Sequence, residues 1–87
     1  MNNREILCDA GYEETLLFDG PEFDVAIIGV TYEGQAVYDF EKMVQHHMET
    51  YGSSRTEAIE DIEYNTIGSL PSAGEEAPVI MYMLDDL

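Results

Sequence analysis

The chain has 87 residues, 19 of them acidic and 3 basic, giving a net charge of −16 at pH 7. Such a charge repels naked nucleic acid and anionic membrane, which excludes both as partners. An apolar fraction of 45% excludes a disordered acidic tail, and the single cysteine, Cys8, excludes a disulfide scaffold.

The length suits one domain over residues 1–87, acting as a monomer or a small homo-oligomer. Its start lacks the basic and apolar regions of a signal peptide, and no apolar run approaches the roughly 20 residues that span a bilayer. A reducing, cytoplasmic setting is expected. Along the chain, Ile6, Leu7 and Cys8 suit a short strand or a tethered arm, with Cys8 an ordinary small hydrophobe. Thr15-Leu16-Leu17-Phe18 reads as a strand closed by the turn sequence Asp19-Gly20-Pro21.

Phe23, Ala26, Ile27 and Val30 recur at helical spacing, although residues 25–28 also suit a buried strand. With Asp24 as a cap and Gly29 as a stop, a short helix is expected over residues 22–28. Val30-Thr31-Tyr32 and Ala36-Val37-Tyr38 flank Glu33-Gly34, a hairpin signal in which Gly34 supplies a positive φ. Asp39 then stands before Phe40, Met43, Val44 and His47, an i, i+3, i+4, i+7 stripe that Gly52 closes. As an N-cap, Asp39 contributes about 1 kcal/mol.

Ser54-Arg55-Thr56-Glu57 is a capping box that opens a second helix with the stripe Ala58, Ile59, Ile62. Thr66 or Ile67 extends this stripe to Gly68, and the link to Pro78 is loop. Val79-Ile80-Met81-Tyr82-Met83 is apolar enough for a strand inside a sheet. The expected fold class is α+β: a small, mostly antiparallel sheet of three to four strands, with two main helices packed on one face.

Little in this pattern predicts chemistry. Adjacent helical residues point about 100° apart, so His46 and His47 cannot converge on one metal. The role expected for His47 is partly buried packing, and for His46 solvation. Glu75-Glu76 and Asp85-Asp86 lack the calcium-loop pattern, and no phosphate loop exists. No catalytic residue, metal or cofactor is expected, and the chain reads as a non-enzyme.

The acidic residues carry the functional signal. Glu57, Glu60, Asp61, Glu63 and Tyr64 fall away from the second helix's apolar stripe. Glu33, Asp39 and Glu41 form another group, and Glu22 with Asp24 a third. Like charges at i, i+3, i+4 cost a few tenths of a kcal/mol per pair. Carboxylates spaced on a rigid frame imitate the phosphates of a nucleic-acid backbone. The candidate partner-binding set is therefore Glu33, Asp39, Glu41, Glu57, Glu60, Asp61, Glu63 and Tyr64. Reversing Glu57, Glu60 and Asp61 to lysine is expected to abolish binding and spare the fold. Two other readings stand beside this one. A high-salt habitat enriches acid and depletes lysine, and only Lys42 occurs here. An acidic structural or regulatory module would instead use Tyr12, Tyr32, Tyr51, Tyr64 and Tyr82 as contact area.

The segments DVAIIG (24–29), VYDFEKM (37–43), EAIEDIEYNTIGSL (57–70) and APVIMY (77–82) resemble small acidic proteins of bacterial viruses and mobile elements. The shared pattern falls on Val37, Tyr38 and Asp39, on Glu57, Ala58 and Glu60, and on Tyr64, Asn65 and Thr66. That group has no common activity to carry over. In charge and size, though not in motif, the chain also resembles anti-CRISPR proteins, which inhibit bacterial immunity by occupying DNA-binding surfaces. The partner this implies is a CRISPR effector complex or another basic nucleic-acid-binding protein.

Overall fold

The computed structural model describes residues 2–18, 22–68, 74 and 76–87; the Asp19-Gly20-Pro21 turn and part of the 69–78 link lie outside them. Among these residues the chain forms an α+β unit with a three-stranded sheet and helices packed against it. Helix α1 (Asn3–Asp9) leads through a 3-10 turn (Asp24–Ala26) into β1 (Ile27–Val30) and β2 (Ala36–Asp39). Helices α2 (Phe40–Tyr51) and α3 (Arg55–Asp61) follow, then a π turn (Ile62–Thr66), β3 (Val79–Met81) and a last 3-10 turn (Leu84–Asp86).

The middle of the chain folds as its local signals require. Gly34 takes a φ of 95° in the tight connection between β1 and β2, which pair antiparallel. The Asp39 carboxylate accepts from the backbone N–H of Glu41 at 3.0 Å and of Lys42 at 3.4 Å, starting α2. Gly52, at φ 67°, ends α2 in the left-handed conformation that a Cβ disfavours. Ser54 and Glu57 close the capping box in both directions at the start of α3.

Tyr38, Met43, Val44 and Ile62 are fully buried where β2, α2 and α3 meet. Each such apolar side chain stabilises the fold by about 1.5–3 kcal/mol over its exposed state. All four residues of β2 are buried, so it is the central strand of the order β1-β2-β3.

Several sequence expectations are corrected. Residues 3–9 are neither strand nor arm but a helix, whose N-cap Asn2 accepts from the Glu5 N–H at 2.8 Å. Cys8 on that helix is exposed rather than packed as a hydrophobe. Residues 15–18 form no strand. There the Phe18 N–H donates to the Tyr38 hydroxyl at 3.3 Å, not to a ladder, and its ring lies 4.6 Å from that of Tyr38.

Within 22–28 only residues 24–26 turn helically; Ile27 onward joins β2, because pairing there satisfies the strand's backbone groups. Asp24 is no cap. Last, β3 is an edge strand rather than an inner one, and it runs parallel to β2. The chain between them contains α2 and α3, and a connection of that length permits parallel pairing.

Candidate partner-binding surface

The eight sequence-selected residues fall into separate groups. Glu57, Glu60, Asp61 and Tyr64 line one open cavity of about 610 Å³, together with His47, Tyr51, Ser53 and Asn65. Helix α3 and the π turn after it place them: with Ala58 and Ile62 buried, the helical repeat turns Glu57, Glu60 and Asp61 outward. Glu63 is exposed on the same stretch, and Tyr64 is 84% exposed. An aromatic ring so exposed contributes little to this core and offers contact area outward.

Two of these carboxylates already serve the fold. Glu57 accepts from the Ser54 N–H at 3.3 Å within the capping box. Asp61 Oδ2 lies 2.8 Å from His47 Nε2, and Asp61 Oδ1 accepts from Asn65 Nδ2 at 2.6 Å. His47 is buried, and its Nδ1 lies 2.8 Å from Ser53 Oγ. As a carboxylate Asp61 only accepts, so Nε2 carries a proton and Ser53 meets the other nitrogen.

Ser53, His47 and Asp61 thus stand in a relay-like row. The ring is turned the opposite way from an acyl-transfer triad, in which Nε2 faces the serine. Glu57 and Glu60 in the same cavity would oppose the negative charge of an oxyanion. The row instead ties α2, the turn after it and α3 together. Reversal of Glu57, Glu60 and Asp61 would therefore damage the cap and this tie, contrary to the expectation that the fold would be spared. Glu60 and Glu63 are the carboxylates suited to a clean reversal.

The other selected residues lie elsewhere. Asp39 is only 4% exposed and is consumed as the α2 cap, which removes it from the surface. Glu41 makes a two-pronged ion pair with Arg55, both contacts at 2.7 Å. Hydrogen bonds from Arg55 and then Gln45 hold the Glu41 carboxyl down at about 2, and the same pair raises the Arg55 pKa. Glu33 lines a second open cavity, of about 480 Å³, with Glu14 and Glu76. The two cavities share no residue, so the hairpin and α3 do not form one continuous acidic pocket.

Two participants were missed. Glu14 and Glu76 reach Glu33 only through tertiary folding, and no spacing in the chain announces it. Glu22 sits beside Tyr51, where its carboxylate accepts from the phenol and holds that pKa above the usual value. The third acidic group divides. Asp24, 5% exposed, is gripped by Arg4 through Nε–Oδ2 at 2.9 Å and Nη2–Oδ1 at 3.0 Å.

Among the described residues, no three histidine, cysteine or acidic side chains are grouped to hold a metal ion, and no helix is long and apolar enough to cross a membrane. No protein family, curated protein or solved structure matches the chain. What the geometry defines is a small α+β unit that turns carboxylates and the exposed Tyr64 outward along α3 and the π turn after it.

Proposed function

We propose that the protein is a stoichiometric inhibitor of a bacterial nucleic-acid-binding defence complex, anti-CRISPR-like, working in the host cytoplasm. Its α3 face takes the place of a nucleic-acid backbone in a basic channel and needs no cofactor. One observation carries this reading: neither arginine is spent on the carboxylates of that face. Arg4 is bound to Asp24 and Arg55 to Glu41, which leaves Glu60 and Glu63 exposed beside Tyr64. Fixed, un-neutralised carboxylates on a folded element attract arginine and lysine at long range and dock them without reordering. Tyr64 adds a flat surface for guanidinium stacking.

The test is a DNA-displacement titration against purified CRISPR effector complexes at low and high salt. The expected result is one-to-one loss of DNA binding that weakens as salt rises. The double reversal Glu60→Lys and Glu63→Lys should abolish it with the circular dichroism spectrum unchanged. Undiminished inhibition by that variant, or inhibition insensitive to salt, would remove α3 as the site.

A further inference from the structure

The two outer strands of the sheet are finished differently. On β1, Asn3 Nδ2 donates to the Ile27 carbonyl at 2.9 Å and reaches the Val25 carbonyl at 3.5 Å, while the β1–β2 register shifts between Ile27 and Gly29. Bulges and covering elements are how proteins blunt a strand edge against unwanted pairing. On the opposite side, β3 keeps a regular register with β2 and has no strand beyond it among the described residues.

Large apolar side chains run from the end of β3 into the turn that follows it. Met81, Tyr82, Met83, Leu84 and Leu87 are all exposed, Leu84 to 85% and Leu87 to 84%. Tyr82 fixes the segment to the fold, its ring 5.3 Å from that of the buried Phe40. Isolated exposed leucines are ordinary, but a run continuing from a strand that has no outer neighbour among the described residues marks a contact surface.

Charge selects the occupant. Asp85 and Asp86 stand between the two leucines, and Asp86 is near enough to Arg55 to help hold that guanidinium protonated. The segment therefore runs toward the Glu41–Arg55 pair. A second copy would bring another −16 of charge, and its own Asp85 and Asp86, against the same edge. We propose that β3 and residues 82–87 form a docking edge for an extended segment of a partner protein, alternating apolar residues with lysine or arginine, which adds to the sheet as a fourth strand. Main-chain hydrogen bonds along β3 hold this segment, the exposed methionines and leucines take its apolar side chains, and Asp85 and Asp86 meet its cations. None of this depends on the α3 face meeting a nucleic-acid-binding protein.

The probe is a synthetic peptide alternating valine and lysine, titrated into isotopically labelled protein by NMR. Saturable one-to-one shifts are expected at the amides of residues 79–87. Leu84→Ser with Leu87→Ser should weaken the affinity about tenfold or more, with the α2 amides unmoved because both leucines lie outside the core. The Glu60→Lys and Glu63→Lys protein should keep the shifts at 79–87, so failure of the inhibitor reading leaves this result standing. The proposal is overturned if the peptide moves no amide in 79–87, or moves only those of α3. It is equally overturned if a valine–glutamate peptide binds as tightly, or if sedimentation shows a dimer that the leucine substitutions dissolve.

Discussion

At the seam between α1 and the Asp24–Ala26 turn, the acid is buried and locked: Asp24 is 5% exposed and held on both oxygens by Arg4. At the seam between α2 and α3, the acids stay near water. Asp61 has its side chain half exposed while bonded to His47 and Asn65, and Glu41 meets Arg55 where both reach solvent. The difference shows that acidity here sits in two environments. A carboxylate placed inside must be fully satisfied and then belongs to the fold. One left outside is held in direction by a cap or a tie and keeps its contact with solvent. No buried side-chain nitrogen or oxygen among the described residues lacks a hydrogen bond, as the first environment requires.

The largest expected effect lies at the buried seam. Arg4→Ala leaves Asp24 charged and without its guanidinium partner. Arg4 itself is about a third exposed, so the loss is expected at about 2–3 kcal/mol rather than the full cost of breaking a wholly buried pair. Urea denaturation measures it. A loss well under 1 kcal/mol would mean that water replaces the guanidinium, and the two seams would then be alike.

A smaller effect is expected at the start of α3. Ser54→Ala removes the acceptor for the Glu57 N–H, which lies at 3.2 Å, and should cost about 1 kcal/mol in the same measurement. Amides of residues 55–57 should exchange faster with solvent, while those of α1 should not. Equal acceleration in α1 would join the two seams into one cooperative unit.

The smallest effect depends on pH. Arg55, with a smaller part from Gln45, lowers the Glu41 carboxyl from 4.5 to about 2, so folding binds fewer protons there than the unfolded chain does. The stabilisation is complete above pH 4.5 and fades as pH falls toward 2. Because both side chains reach solvent, it should also shrink in high salt. An NMR titration of Glu41 in Arg55→Ala should show its midpoint rising toward 4.5; an unmoved midpoint would break the assigned pairing.

The α2–α3 region was readable in advance because its instructions are local. Asp39, Gly52, Ser54 and Glu57 act on backbone groups within four residues, and the apolar stripes of α2 and α3 repeat at the helical period. Gly34 likewise marks the connection between β1 and β2 within its own neighbourhood. The outward set Glu57, Glu60 and Asp61 followed from the same periodicity, which is why that portion of the candidate surface could be anticipated. Asn2 and Glu5 carried a cap signal for α1 too. A helix this short, burying only Leu7, leaves almost no stripe to support it.

Sequence by itself determined the acid excess, the capped helices and the glycine turns, since each is settled by composition or by neighbours along the chain. Only the tertiary structure decided which acids are available. Asp24 is reached by Arg4 from 20 residues away, Glu41 by Arg55 from 14, and Glu14, Glu33 and Glu76 meet around one cavity from three distant stretches. It alone decided, too, that β3 lies at an edge and that residues 15–18 lend a ring to Tyr38 instead of forming a strand. Backbone pairing and charge neutralisation act through space, and the partner that satisfies a group is fixed by the path of the chain rather than by its neighbours in sequence.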